Sequence, residues 1–156
     1  MCVVVRNAHD DQWDDVVRMA VGHARVDERG RLLRQLLRRA DRAPRLSHRL
    51  VLLAAACLEH APELEPGVRG EVESRAAELV PPRGMADAEA LAKAGELVLE
   101  LLPGPEGLDE KTAAAVVRTA ALIEGDGAFE VVSRFREDSR SSVISEVSSA
   151  WVSFNS

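Results

Sequence analysis

Arg49-Leu50-Val51-Leu52-Leu53-Ala54-Ala55-Ala56-Cys57-Leu58-Glu59 holds no polar residue from Leu50 to Leu58. A helix that crosses a bilayer needs about 18 or more apolar residues in succession, so this run is too short to span a membrane. Leu and Ala are strong helix formers, and a helix that is apolar all round is buried on most of its faces. The run therefore predicts a central buried helix with shorter amphipathic helices packed around it.

Working outward toward the N-terminus, Ser47 offers a cap for the buried helix, which is read as running to about His60. Pro44 ends the helix before it, because the residue preceding proline is pushed out of helical geometry. That earlier helix is capped by Asp27. It carries Leu32, Leu33, Leu36, Leu37 and Ala40 on one stripe and Arg31, Arg34, Arg38 and Arg42 on the opposite side. Before it, Trp13, Val16, Val17, Ala20 and Val21 follow helical spacing, with Asp10 or Asp11 as cap and Asp14 and Asp15 in the first turn. Residues 1–8 are expected to be a disordered or extended tail.

Toward the C-terminus, Pro66 suits a first helical position and opens a helix over about 66–80. Pro81-Pro82-Arg83-Gly84 is the firmest break in the chain. A fifth helix, about 86–102, stops at Pro103-Gly104-Pro105. Asp109 caps a sixth, whose Ala113–Val117 and Ala120–Ile123 make it the second most apolar. After the Gly125/Gly127 joint come a short helix with Phe129, Val131, Val132 and Phe135, then a last one with Val143, Ile144, Val147, Trp151 and Phe154. The expectation is an all-α chain of about eight helices, an irregular α-α superhelix of HEAT-like hairpins over residues 9–156 in a single domain. A compact non-repeating helical bundle is the alternative. Val16-Val17-Arg18-Met19-Ala20 and Val116-Val117-Arg118-Thr119-Ala120 give a weak internal echo.

The 156 residues suit one domain, and 46% hydrophobic with 29% charged residues excludes wholesale disorder. Aromatics make up 3% and there is no Tyr, so core volume must come from Leu, Val and Ala. Residues 1–50 hold 11 Arg and Lys against 7 Asp and Glu, while residues 51–110 hold 4 against 13. Cys2 and Cys57 make no disulfide framework, and the first five residues lack a signal-peptide core, so a cytoplasmic location is expected.

Chemistry-bearing patterns are sparse. No GxxxxGK[ST] loop or HExxH motif occurs. Cys57, His60 and His48 fall short of the three or four converging ligands a metal needs. Ser47-His48 lacks the third partner of a catalytic triad. No catalytic residue, cofactor or metal is expected. The arginine stripe of Arg31, Arg34, Arg38 and Arg42 is the one feature suited to nucleic acid, but the following helices are acidic, which weighs against that partner. Trp151 and Phe154, near the end of the sequence, are expected to remain partly exposed as an interaction surface, or to be covered in a homodimer through the C-terminal helix.

Three stretches together resemble a known family. His9-Asp10-Asp11-Gln12-Trp13-Asp14-Asp15-Val16-Val17-Arg18-Met19-Ala20-Val21-Gly22-His23 resembles the segment downstream of the nucleotide-binding core in bacterial NACHT proteins, which are STAND-type NTPases. In these a Trp-x-x-Val-x-x-x-x-x-Gly pattern begins a helical arm, and Trp13, Val16 and Gly22 occupy its positions. His48 to Pro66 and Val116 to Ile123 are similar to later parts of that arm, and Asp138 to Phe154 is similar to one of its HEAT-type units. Where the family often has basic residues after the valine, this chain has Ile144 and Ser145.

The resemblance implies a non-catalytic regulatory or sensory arm, taken from or related to a larger NTPase whose P-loop core is absent here. Its implied partner is protein, either that NTPase core or further repeats, in bacterial signalling or phage defence. A free-standing adaptor built on the same helices is the alternative.

Overall fold

The computed structural model describes residues 3–155; Met1, Cys2, Ser156 and the Asp11 side chain lie outside the described residues. Ten α-helices and two 3-10 turns are present among the described residues, with no β-strand. The chain divides into two compact units, Met1–Glu78 and Leu79–Ser156, where the sequence suggests one domain. The division falls beside the Pro81-Pro82-Arg83-Gly84 break.

In the first unit the order is α1 (Val3–Arg6), a 3-10 turn (Asp11–Trp13), α2 (Asp14–His23), α3 (Val26–Arg42), α4 (Ser47–Cys57), a second 3-10 turn (Leu58–His60) and α5 (Pro66–Ala77). Helix α4 is the expected central helix. Every residue from Leu50 to Leu58 is buried, against α2, α3 and α5. Leu33, Leu36, Leu37 and Ala40 of α3 and Val68, Val72 and Ala76 of α5 supply the surrounding layer. Gly30 of α3 is also buried, and a Cβ there would sit 3.6 Å from Val68, in ordinary contact. Each fully buried Leu contributes about 2 kcal/mol relative to exposure.

The second unit comprises α6 (Met85–Ala92), α7 (Glu96–Leu101), α8 (Glu110–Ile123), α9 (Asp126–Ser133) and α10 (Ser141–Phe154). Here α8 is the central helix. Ala113 to Val117, Thr119 and Ala120 are buried, with α6, α7, α9 and α10 around them. Thr119 is the one buried polar side chain among the described residues, and its hydroxyl donates to the Ala115 carbonyl at 2.8 Å. Hydrogen bonding within the helix removes most of the cost of burying that group.

Several expectations are corrected. Residues 3–6 are helical rather than extended or disordered, with Val5 and Ala8 buried. The cause is remote in sequence: Arg39 donates to the carbonyls of Val5 and Arg6 and contacts His9 Nδ1 at 2.9 Å. The helix expected over 86–102 is two helices, α6 and α7, because Gly95 takes a positive φ of 81° that breaks the ladder. These two differences, with the 3-10 turns, account for the excess over about eight helices. Asp27 lies inside the first turn of α3 instead of capping it, and Ser47 is the first helical residue of α4. Asp109 does cap α8, accepting from the Thr112 N–H at 2.7 Å. Asp10 closes the first 3-10 turn by accepting from the Gln12 N–H at 2.9 Å.

The α10 N-terminus is capped from another helix. Glu110 of α8 accepts from the Ser142 N–H at 3.0 Å, and Arg140 donates to both oxygens of Asp138 and to the Leu108 carbonyl. These bonds hold three carboxyls below their ordinary range: Asp109 through Thr112, Glu110 through Ser142, and Asp138 through Arg140.

Two predictions follow from this packing. Leu53→Ala should cost about 2–5 kcal/mol by leaving a cavity. Arg38→Ala, at an exposed position, should change stability by less than about 0.5 kcal/mol. Equal shifts of the two denaturant midpoints would contradict the assignment of α4 as core. The second prediction concerns acid. A carboxyl whose pKa is lowered by folding contributes stability above its unfolded value, near about 4, and loses it as pH falls through the lowered folded value. The melting temperature should therefore drop below about pH 4, and Asp138→Asn should flatten that drop. An unchanged acid slope in the variant would show that the Asp138–Arg140 contact does not set it.

Candidate interaction surface

The described residues offer little for catalysis. Cys57 is buried at 0% exposure, and burial pushes its thiol up to about 12, so it stays protonated and inert near neutral pH. His48 and His60 are both exposed and make no metal group with it. No cluster of three or more His, Cys, Asp or Glu side chains able to hold a metal exists among the described residues. An open cleft of about 560 Å³ in the first unit is lined by Asp15, Arg18, Met19, Gly22, His23 and His60. It brings together a carboxylate, a guanidinium and two imidazoles, but no nucleophile. Arg31 lines a neighbouring shallow groove with Glu28 and Leu32. Among the described residues, no helix is long and apolar enough to cross a membrane.

The structure sorts the arginines of α3 into two sets. Arg31, Arg34, Arg38 and Arg42 face outward, as their spacing implies. Arg34 is paired with Glu65 at 3.4 Å, both side chains being about half exposed (45% and 58%). Such an exposed pair is worth little in energy, yet it dilutes the positive face. Asp41, on the same helix, meets Arg75 at 2.8 Å. Arg29 and Arg39 instead turn inward to backbone carbonyls. The basic stripe is thus a mixed-charge face within its own unit.

The second unit carries a different kind of surface. Phe129 of α9 and Trp151 and Phe154 of α10 form a three-ring cluster. Centroids lie 4.9 Å apart for Phe129–Trp151, 5.8 Å for Trp151–Phe154 and 6.1 Å for Phe129–Phe154. The first two contacts are edge-to-face, the geometry that ring quadrupoles favour. Trp151 and Phe154 are half-buried, while Phe129 is 54% exposed. Ile144 is 48% exposed and Val152 69%.

Phe129 was not legible as a surface residue. The sequence places it on one short helix with Val131, Val132 and Phe135 and assigns it to neither face. The buried set of α9 and its end is Ala128, Val131, Val132 and Phe135, spaced 3, 4 and 7 from Ala128, which leaves Phe129 one position off the inward face. That offset was the available signal. Ile144 is exposed for the same reason, since Val143, Val147 and Ala150 already define the inward face of α10.

A thiol assay tests the core side of this description. In a Cys2→Ser variant, Cys57 should not react with an aromatic disulfide reagent at pH 8 until denaturant is added. Rapid reaction of the native variant would contradict the burial of α4.

No family model, curated protein or solved structure matches this chain.

Proposed function

We propose that this chain is a non-catalytic docking arm that binds protein, in the manner of the HEAT-like arm downstream of the NTPase core in NACHT proteins. The observation that carries the proposal is the partly exposed Phe129–Trp151–Phe154 cluster. Three rings gathered at a surface form the apolar anchor expected of a protein contact, and aromatic residues dominate interface energetics. The absence of a P-loop motif, and the all-α fold of the described residues, agree with a chain that lacks a nucleotide-hydrolysing core of its own. Helices packed around α4 and around α8 suit the helical-hairpin reading. The motif similarity at Trp13, Val16 and Gly22 supplies the choice of an NTPase core as partner, working in the cytoplasm. The nucleic-acid reading is weaker, because Glu65 and Asp41 sit within the basic face. A free-standing adaptor would use the same aromatic surface for a different protein.

The test begins with the coding sequence around this chain. An NTPase core encoded in the same frame or directly upstream should, when purified, bind this chain and show altered ATP turnover. Phe129→Asp should weaken that association at least about tenfold, as loss of a buried aromatic anchor does. The chain alone should give no heat with ATP. Micromolar ATP binding by the isolated chain, or binding to the core that ignores Phe129→Asp, would contradict the proposal.

A further inference from the structure

Helices α7, α9 and α10 carry five carboxylates, Glu96, Glu100, Asp126, Glu130 and Glu146, and no arginine, lysine or histidine. In a chain that holds 20 Arg and Lys, three helices without one are a marked local departure. Helix α9 packs against both α7 and α10, and it bears Phe129. Asp126 precedes Phe129 by one turn on the same side of α9, and Glu130 follows it directly. Both carboxylates are exposed, as is Glu124 at the α8–α9 joint. The exposed ring of Phe129 therefore stands among carboxylates.

As it stands the arrangement is unfavourable. Glu96 and Glu100 are four residues apart, as are Asp126 and Glu130, and like charges at that spacing destabilise a helix. The dipole of α9 compensates Asp126 at its N-terminus, but Glu130 lies beyond the first turn. Among the described residues, Asp126 and Glu130 enter no ion pair. Arg134 and Arg136, the next cations in sequence, follow the end of α9.

Building on the docking-arm reading, we infer that the protein docked on the aromatic cluster presents a positively charged segment. One of its arginines lies on the Phe129 ring, and neighbouring cations pair with Asp126 and Glu130. Charge complementarity selects this occupant. A cation is drawn to the negative face of an aromatic ring, and arginine more readily than lysine, because its planar guanidinium also stacks. Cations bound here relieve the repulsion between Asp126 and Glu130. The same carboxylates repel phosphate, which turns away both nucleic acid and anionic lipid. A second copy of this surface would set acid against acid.

Fluorescence anisotropy on the full chain tests the charge and the ring separately, with short labelled peptides of alternating arginine and serine, lysine and serine, or glutamate and serine. The arginine peptide should bind, with an affinity that falls steeply as salt rises toward about 0.5 M, and about threefold more tightly than the lysine peptide. The glutamate peptide should not bind. Asp126→Asn combined with Glu130→Gln should weaken the arginine and lysine peptides alike, at least about fivefold, while Glu89→Gln on α6 has little effect. Phe129→Leu should abolish the preference for arginine and leave lysine binding nearly unchanged, an outcome misfolding cannot produce. Equal binding of the arginine and lysine peptides by the wild-type chain would overturn the inference. So would binding indifferent to the double substitution, or tighter binding of the glutamate peptide or of phosphatidylserine vesicles. An NTPase core that binds through Phe129 but ignores both salt and the double substitution would remove the cationic partner and leave the docking arm.

Discussion

The burial of α4 from Leu50 to Leu58 is the constraint on which the first unit depends. A helix with no polar side chain over that span has no face to offer water, so it folds stably only when other helices cover it on every side. That requirement explains why α3 and α5 are amphipathic and why their apolar rows are narrow: each covers only a sector of α4. Helix α8 plays the same part in the second unit with smaller side chains, alanine and valine, which let α6 and α10 approach closely.

A second regularity concerns arginine, which this chain uses almost to the exclusion of lysine. Several guanidinium groups act as clips on backbone carbonyls at chain reversals. Arg29 donates to Val21, Gly22 and Glu63, Arg39 to Val5 and Arg6, Arg69 to Ala61, and Arg140 to Leu108. Carbonyls at helix ends lack partners within the helix, and a planar fork of five donors can satisfy two of them at once. Part of the charge asymmetry noted in the sequence therefore serves the connections of the fold, while Arg6, Arg25, Arg45 and the outward arginines of α3 remain as surface charge.

Much of the fold was legible because local rules and tertiary packing agree. The apolar run marks α4, the leucine stripe marks the inner side of α3, and Asp109 caps α8 as its position suggests. What escaped the sequence depends on distant partners. The turn of helix at Val3–Arg6 is held by Arg39, and the α10 N-terminus is capped by Glu110, neither of which periodicity can reveal. The break between α6 and α7 was visible only as Gly95, which a helical pattern tolerates. At the surface, Trp151 and Phe154 were expected to be partly exposed or covered in a homodimer, and both are half-buried, whereas the exposure of Phe129 follows only from the phase of α9. Gly22, central to the family resemblance, has no steric demand behind it, since a Cβ there would lie 3.5 Å from the His60 Cβ, an ordinary contact.

Native-state hydrogen exchange measures directly whether two central helices organise the chain. Amides of Leu50–Cys57 and of Ala113–Ala120 should exchange most slowly within their units, opening only with unfolding of the unit, while the ends of α1 and α10 exchange early. Slowest exchange in α3 or α10, or uniform protection along the chain, would contradict an architecture built around α4 and α8.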